Sequence, residues 1–343
     1  MVATGDVLIH QDGPLVGGAA TAGRAQGAGY DFSGVFAPVA GLIKGADLAV
    51  CHLETPVAAA AGPFHGYPLF DVQPQIIDAL ADVGYDSCST ASNHSLDAGF
   101  DGVRRTLDKL DSRHLGHTGT FRTLAESQTP RILQVRGVRV GHISWTYGLN
   151  GIPPSAGRHW SVNVFDPRGP ETTGLLADAA RARQAGAEVV VASVHCCEEY
   201  LHDPTPAQLA LATSALSSPD IDLVLFHHSH VVAPVERING KWVAYGLGNH
   251  VAEQYRGDTE DSVIARFTFT EGADGFAVTR AEAIPTRIDL GGQSVRVVNT
   301  ARVNTARHAA GATSGADTGS YRRVVDILNR RGAAAAGLTI TDR

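Results

Sequence analysis

The chain has 343 residues, of which 43% are hydrophobic and 18% are charged, so it is long enough for a large core and is not disordered by composition. A formal net charge of −7 at pH 7, with no run of Lys or Arg, excludes the electrostatic footprint of a nucleic-acid-binding protein. No apolar run of about 18 residues predicts a membrane-spanning segment, and no leader pattern opens the chain. We therefore predict a cytoplasmic protein without a disulfide framework, whose reduced thiols are Cys51, Cys88, Cys196 and Cys197.

The first two predicted strands each carry an acidic residue near their carboxyl end. Residues 2–10 form the first strand, which presents Asp6 and reaches His10. Residues 46–54 form the second strand, which ends at Glu54. Oxygen ligands for metal ions are often presented in this way.

Between and after these strands the pattern predicts loops and helices. Residues 11–30 are rich in Gly and Ala and predict a loop, and residues 32–44 have the apolar spacing of a helix. The Pro-punctuated segment 56–74 predicts a loop suited to covering a site. Residues 75–83 then predict an amphipathic helix.

A third predicted strand leads directly into Asn93 and His94. Asn93 offers a neutral amide oxygen, and His94 offers an acid–base group beside it. Asp97 opens a predicted helix that runs through Leu110. Residues 132–145 then predict a hairpin that continues into the turn 147–153.

The next predicted strand, residues 188–195, is rich in β-branched residues and ends at His195. After a predicted helix over 205–217, the apolar run 222–225 leads into three imidazoles at His227, His228 and His230. Three imidazoles at the end of a buried strand are costly as packing, because each ring brings two polar nitrogens. In an extended segment His228 and His230 would point to the same side and could serve one ion or two neighbouring ions.

The segments after residue 260 carry no chemistry that we can name. Residues 241–250 predict a strand that closes on a Gly-rich turn, and residues 262–288 predict alternating strands. A loose connector over 301–320 and a helix over 321–330 follow. We predict one domain over 1–290, and over 291–343 a connector and a C-terminal helix that packs on it.

The predicted strand ends supply one mixed set of ligands. Because strand ends converge on one edge of a layered α/β fold, groups far apart in sequence can meet there. The predicted metal ligands are Asp6, His10, Glu54, Asn93, His195, His228 and His230. Carboxylate, amide and imidazole donors favour two ions such as Mn, Fe or Zn, with a Glu bridging them, whereas Ca is less natural with so many nitrogens.

The order of short motifs resembles the CapA family of poly-γ-glutamate capsule-type proteins, within the calcineurin-like metallophosphatase fold. The matching segments are Gly5-Asp6, Leu53-Glu54-Thr55-Pro56, residues 92–99, residues 147–153, His195 with Glu199-Tyr200, residues 227–231 and residues 245–249. The likeness spans about residues 2–250 and implies an α/β fold, a four-layer α/β/β/α sandwich, with a two-metal site between the sheets.

The resemblance also implies roles for individual residues. Asp6 and His230 would hold one ion, Asn93, His195 and His228 the other, and Glu54 would lie between them. His94 would be the acid–base residue of the family type. Within the matched segments, we expect substrate contacts from Tyr147, Asn150, Glu199 and Tyr200.

Two departures from the family pattern suggest a different reaction. Cys196-Cys197 stands where the family usually has Trp-Gly, and His250 where it usually has Phe. With His94, these residues could form a pair of proton-transfer groups on opposite faces of a substrate.

Three functions remain open at this point. The preferred one is a metal-dependent epimerase, resembling CapA-like proteins that act on the C-terminal residue of a ribosomal, lasso-type peptide. Proton exchange would then occur next to a metal-bound carboxylate. One alternative is phosphoester hydrolysis at a two-metal site, with His94 protonating the leaving oxygen. The other is a protein that binds poly-γ-glutamate or another envelope polymer, or supports its synthesis. The predicted partner is thus a peptide or a carboxylate-bearing polymer.

Overall fold

The strands form two mixed β-sheets in a computed structural model that describes residues 1–27, 29–165, 172–254, 257–298 and 314–342. They are β1 Val2–Leu8, β2 Ala49–Leu53, β3 Ser87–Ser89, β4 Gly116–Thr118, β5 Arg131–Val135, β6 Val138–Thr146, β7 Val189–His195, β8 Leu223–His227, β9 Val235–Ile238, β10 Lys241–Ala244, β11 Asn249–Ala252, β12 Asp261–Gly272, β13 Gly275–Asp289, β14 Ser294–Val297 and β15 Leu338–Ile340. The buried strands β7 and β8 are runs of β-branched and large apolar residues, which suit a sheet covered on both faces.

The helices are mostly short. They are α1 Pro14–Ala25, α2 Ser33–Phe36, α3 Ala40–Lys44, α4 Gln75–Val83, α5 Gly99–Ser112, α6 Leu124–Ser127, α7 Thr173–Gln184, α8 Pro206–Ser217 and α9 Ser314–Asn329, with 3-10 turns at Ala37–Val39, His159–Ser161 and Asp258–Glu260. Within the residues that the structure describes, none of these helices has both the length and the apolar character needed to span a bilayer.

The order of the strands brings several carboxyl ends to one edge. The first sheet has nine strands, in the order β14-β13-β12-β1-β2-β3-β4, with β11 also paired to β1 and β15 to β13. The second sheet has the order β5-β6-β7-β8-β10-β9. Strands β1 to β4 run parallel to their neighbours in that series, as do β6, β7, β8 and β10. Residues that follow these strands can therefore meet at a common edge.

Three apolar layers hold the four layers of secondary structure together. One layer lies between the sheets and includes Val50, Leu225 and Phe267. A second packs helices α1 to α5 on the first sheet, and a third packs α7 and α8 on the second sheet. The predicted four-layer α/β/β/α sandwich is confirmed.

The chain after residue 290 contributes to the first sheet. Strands β14 and β15 both pair with β13, and α9 packs Val324, Ile327 and Leu328 into the layer between the sheets. Helix α9 begins at Ser314, earlier than the predicted 321, and the part of the predicted connector up to residue 313 lies outside the described residues. The domain boundary at 290 stays a prediction.

Helix α1 replaces most of the loop that the Gly- and Ala-rich sequence predicts. Leu15, Val16 and Ala19 are buried against the first sheet, which stabilises a helix of otherwise weak propensity. The buried carboxylate of Glu253 accepts hydrogen bonds from the amides of His10 and Leu15, both at 2.6 Å. The loop prediction is wrong here because this cap comes from a residue that is distant in sequence.

All four cysteines form disulfides, so the prediction of reduced thiols is wrong. Cys51 and Cys88 lie opposite each other in the neighbouring parallel strands β2 and β3, with their Cα atoms 4.5 Å apart. Cys196 is joined to its neighbour Cys197. Disulfides persist in oxidising compartments, so this pairing gives no support to the predicted cytoplasmic location.

Candidate metal centre

Buried polar side chains gather where the carboxyl ends of β1, β2, β7 and β8 meet. Each is at most 3% exposed, so each requires a partner inside the protein. The members of this cluster are Asp6, His52, Glu54, Asn93, His195, His227, His228 and His230. We call this set the histidine–carboxylate cluster.

Asp6 enters the cluster through an irregularity in β1. A Cβ atom at Gly5 would collide with the carbonyl oxygen of Gly248, so only glycine permits this close approach. The amide of Asp6 then donates to the same oxygen at 2.9 Å. The Asp6 carboxylate lies 3.2 Å from His227 Nδ1 and 3.4 Å from His230 Nδ1. Burial opposes ionisation, yet these two hydrogen bonds hold the pKa of Asp6 well below its ordinary value.

Glu54 is a buried carboxylate with no hydrogen-bond partner among the described residues. Its Oε1 lies 3.7 Å from His230 Nε2 and 4.0 Å from His195 Nε2, and both of its oxygens are orphaned. Burial raises the pKa of Glu54 to about 7. The pKa of His230 rises to about 10, because Glu54 and Asp6 outweigh the opposing effect of burial. A divalent ion would supply the positive charge that the proton on His230 otherwise supplies.

Two groups of potential ligand atoms share Glu54. One contains Asp6, Glu54 and His230, and the other contains Glu54, His195 and His228, with the atoms of each group within 4.8 Å of one another. Asn93 joins the second group, because its Oδ1 lies 2.8 Å from His195 Nε2. His228 Nδ1 has no hydrogen-bond partner in the described part of the chain. These orphaned atoms fit a site for divalent metal.

His228 and His230 reach the cluster from a loop, whereas the sequence predicted an extended segment. Strand β8 ends at His227, and His228 and His230 have backbone φ values of 89° and 55°. The segment is therefore a tight loop and not an extended strand. Both rings still face the cluster, because the loop turns back on itself after the strand.

His10 lies at the margin of the cluster and is not part of either ligand group. Its Nδ1 is 4.0 Å from Glu253 Oε2, and its ring packs edge-to-face on Phe70 with centroids 5.3 Å apart. Burial, followed by repulsion from His230 and His94, lowers the pKa of His10 to about 4. The neutral ring is therefore placed to line a cavity beside the cluster.

His94 and Asp97 form an acid–base pair at the edge of the cluster. His94 Nδ1 lies 2.6 Å from Asp97 Oδ2, and the same oxygen accepts the amide of Phe70 at 2.9 Å. Burial lowers the proton affinity of His94, but Asp97 and Glu54 outweigh it, so its pKa is raised above the ordinary value. The protonated form is thus favoured, as a general acid requires.

The four residues that we expect to contact substrate all lie beside the cluster. The ring of Tyr147 is 4.7 Å from that of His228, and Tyr200 is 5.9 Å from His230. Asn150 lies within hydrogen-bond distance of both the Asn93 and the His94 side chains. Glu199 is exposed and has a carboxylate oxygen within 4.8 Å of ligand nitrogens of His228 and His230.

Cys196, the first of two neighbouring cysteines, faces away from the cluster. His195 is the last residue of β7, and Cys196 follows it on the opposite face of the sheet. The Cys196 side chain is fully buried in the apolar layer below α7 and α8, and Cys197 packs against the same layer. This placement gives no support to the predicted proton-transfer role of Cys196, and the roles of both cysteines stay predictions.

His250 likewise lies on the face of its sheet away from the cluster. Its neighbour Asn249 reaches His230 Nδ1 at 2.9 Å, whereas the fully buried His250 ring packs near Phe36 and Tyr85. Neither ring nitrogen has a hydrogen-bond partner among the described residues, and burial lowers the pKa of His250 to about 3. This position gives no support to the predicted catalytic role of His250, which stays a prediction.

Replacing His250 with Phe is expected to stabilise the protein by about 1–3 kcal/mol at pH 7, because it removes an unpaired buried polar ring. The difference in stability between the variant and the wild type should grow as the pH falls from 6.5 towards 4. In that range His250 of the wild type binds a proton in the unfolded state but not in the folded state, so the wild type loses stability. Urea unfolding at pH 7.5 and pH 5 measures both effects. His142→Phe is the control, because both His142 nitrogens are bonded to serines at 3.0 Å, and it should destabilise at pH 7.5. A gain that shrinks on acidification would contradict the prediction.

Two members of the cluster, His52 and His227, were not among the predicted ligands. His52 lies two residues before Glu54 in β2, so strand alternation places both on one face. The rings of His52 and His227 stack with centroids 4.2 Å apart. The signal in the sequence was the period of two that links His52 to Glu54.

Two open cavities are bordered by segment 62–70. One, of about 440 Å³, is lined by His10, Phe64, Tyr67 and Glu253, among others. The other, also about 440 Å³, is lined by Tyr67, Leu69 and Asp97, among others. Tyr67 and Leu69 are exposed, at 79% and 51%. The second cavity thus reaches Asp97, the partner of His94, along a wall that carries apolar side chains.

The comparisons with known proteins agree with the cluster. The chain is 29% identical to the PGA biosynthesis protein CapA of Bacillus subtilis over 205 residues, which are 59% of this chain and 52% of that protein. It is 26% identical to the probable polyglutamine synthesis accessory protein MT0602 of Mycobacterium tuberculosis over 219 residues, covering 62% of this chain and 57% of that protein. The chain thus spans about half the length of the curated relatives it matches.

A solved structure of a hypothetical protein from Thermus thermophilus shares the fold, with a TM-score of 0.50 and 13% identity over 84% of this chain and 99% of that one. The family model for the bacterial capsule synthesis protein PGA_cap matches residues 1–254, which contain every residue of the histidine–carboxylate cluster. The chain belongs to this capsule synthesis protein family.

Proposed function

We propose that the protein is a metal-dependent hydrolase that cleaves a phosphoester bond, with His94 as its general acid. The observation that carries this proposal is the His94–Asp97 pair beside the histidine–carboxylate cluster, at 2.6 Å. Hydrolysis requires one proton donor for the leaving oxygen. Cys196 and His250, two of the three residues that the preferred epimerisation could use with His94, face other parts of the molecule.

Two divalent ions fit the cluster. Asp6 and His230 would hold one ion, and Asn93, His195 and His228 the other, with Glu54 between them. The mixture of nitrogen and oxygen donors favours Mn, Fe or Zn over Ca. When bound, these ions would supply Lewis-acid polarisation of a substrate oxygen and activation of a water molecule.

The protein's own residues supply the proton and its orientation. The amide of Phe70 and the ring of His94 both bind Asp97 Oδ2, so the carboxylate holds the imidazole in one orientation. The other ring nitrogen, Nε2, is then the atom that delivers a proton to the leaving oxygen. Asn150, next to both Asn93 and His94, restricts the approach of the substrate.

The substrate is expected to belong to the cell envelope. Two relatives carry names that refer to PGA biosynthesis or polyglutamine synthesis. The exposed Tyr67 and Leu69 beside the cavities suit a substrate with an apolar portion near its reacting group.

Epimerisation next to a carboxylate is the second candidate, and one observation favours it. Glu199 presents a carboxylate close to His228 and His230 and could exchange protons with a substrate that also contacts His94. A peptide, of the lasso type or otherwise, would bind its terminal carboxylate to the metal ions.

One experiment separates the candidates. Metal-stripped protein is reloaded with Mn²⁺ and incubated with an aryl phosphate diester, and separately with a peptide in deuterated water. Release of the aryl alcohol supports hydrolysis, and mass gain at the C-terminal residue supports epimerisation and overturns our first choice. Binding of polyglutamate without either reaction would overturn both and favour a binding or accessory role.

A further inference from the structure

A chain of hydrogen bonds runs from the first sheet to the metal ligand His195. Ser89 Oγ lies 2.8 Å from His52 Nδ1, and His52 Nε2 lies 2.9 Å from His195 Nδ1. At the far end, His195 Nε2 lies 2.8 Å from Asn93 Oδ1. All four side chains are buried, at 3% exposure or less, so no solvent replaces these contacts.

The hydrogen bonds between these four side chains can point in either of two directions. A neutral imidazole has one N–H, so each ring donates at one end and accepts at the other. In one direction His195 donates from Nε2 to Asn93, and its lone pair faces His52. In the other direction His195 donates from Nδ1 to His52, His52 donates to Ser89, and Ser89 donates to the carbonyl of Cys51 at 3.3 Å.

Only the second direction makes His195 a metal ligand. It leaves a lone pair on His195 Nε2 facing the oxygen of Asn93, and two acceptors at 2.8 Å repel each other unless a cation binds both. The orientation of a ligating histidine is commonly set by the partner of its other nitrogen. Here that partner is the ring of His52, whose plane is supported by His227 stacked on it with centroids 4.2 Å apart.

We propose that His52 is a positioning residue that holds His195 with its proton on Nδ1, so that Nε2 binds the metal ion. Ser89 gives the arrangement its direction by accepting from His52 and donating to Cys51. This inference rests on the metal centre of the proposed function, but not on the reaction that occurs there.

The molecule contains a matched control for this arrangement. His142 is fully buried between the same two sheets, with its Nδ1 and Nε2 each 3.0 Å from the hydroxyls of Ser87 and Ser193. Ser87 and Ser193 each lie two residues before Ser89 and His195 in the same strands. His142 therefore has the burial and the polar contacts of His52, but among the described residues its ring nitrogens bond to Ser87 and Ser193 and to no member of the histidine–carboxylate cluster.

The test is Mn²⁺ binding to metal-stripped protein, measured by titration calorimetry. His52→Leu should weaken binding by about 10- to 100-fold, whereas His142→Leu should keep wild-type affinity although it also lowers stability. His52→Gln should recover much of the loss, because its amide oxygen can accept from His195 and its NH₂ can donate to Ser89. In the Zn²⁺ form, nitrogen NMR should find the His195 proton on Nδ1.

Several outcomes would overturn the inference. These are wild-type affinity in His52→Leu, an equal loss in His142→Leu, or a His195 proton on Nε2 in the Zn²⁺ form. If His52→Leu does not fold, Ser89→Ala takes its place and must weaken Mn²⁺ binding. A wild-type protein that binds no Mn²⁺ contradicts the metal centre itself, whereas binding without turnover contradicts only the proposed reaction.

Discussion

Replacing Glu54 with glutamine is expected to make the metal-free protein more stable and to abolish its response to divalent ions. The Glu54 carboxylate is buried and both of its oxygens are unpaired, so ionisation costs more in the folded than in the unfolded state. Its folded pKa of about 7 lies above the ordinary 4.5, so the stability of the wild type falls as the pH rises from 4.5 to 7. Glutamine does not ionise. Without metal, the free energy of unfolding of the variant should therefore exceed that of the wild type by on the order of 2 kcal/mol at pH 7.5 and by almost nothing at pH 4.5.

In the presence of Mn²⁺, the wild type should become more stable than the Glu54→Gln variant. Mn²⁺ at 100 times its dissociation constant stabilises a folded protein by about 2.7 kcal/mol, and glutamine supplies only a neutral oxygen between the two ligand groups. Unfolding with and without Mn²⁺ measures both effects. Glu282→Gln is the control, because Glu282 is buried in β13 and paired with Arg280 at 2.9 Å, far along the sheet from the cluster. A Glu54→Gln protein that is still stabilised by Mn²⁺ would contradict the bridging role.

Replacing His94 with asparagine is expected to reduce turnover by a factor of about 10² to 10⁴, because it removes the proton donor at the reacting oxygen. Mn²⁺ affinity should change little, since His94 lies outside both ligand groups. Wild-type kcat should fall on the alkaline side, as the His94 ring loses the proton that it delivers. The variant should lack this decline. Initial rates against pH, with Mn²⁺ titrations on the same samples, check each expectation.

His117→Asn is the matched control for His94→Asn. His117 is also a buried histidine bonded to an aspartate, with its Nε2 3.1 Å from Asp111 Oδ1, but it lies outside the cluster. Its loss should lower stability and leave turnover per folded molecule unchanged. Equal losses of turnover in the two variants would mean that His94 acts through folding and not as an acid.

Most of the cluster followed from one feature of the sequence, which is the recurrence of polar side chains at the ends of apolar strands, whereas the four-layer fold was implied by the family resemblance. Asp6, Glu54, Asn93, His195 and the two later histidines meet because parallel strands end on one edge. The types of these residues and their order along the chain were enough to predict the set of ligands, since a metal site accepts only a few kinds of side chain.

The predictions without support arose where a neighbour in sequence was taken for a neighbour in space. Cys196 and His250 each follow a residue that faces the cluster, and alternation along an extended chain turns them to the other side of the sheet. The same rule, applied to β2, would have added His52. Helix α1 was beyond local reasoning, because Glu253 caps it from a distant part of the chain.

Asp97 links segment 62–70, which borders the two cavities, to the acid–base residue His94. Its Oδ2 receives both the Phe70 amide and the His94 ring, so a substrate that pushes segment 62–70 outward would remove one of these two donors. The freed carboxylate would then hold the His94 proton more strongly, and the imidazolium would be a weaker acid while the wall is displaced. When segment 62–70 returns, the His94 imidazolium would again be the stronger acid. The proton would therefore be delivered while the substrate is enclosed.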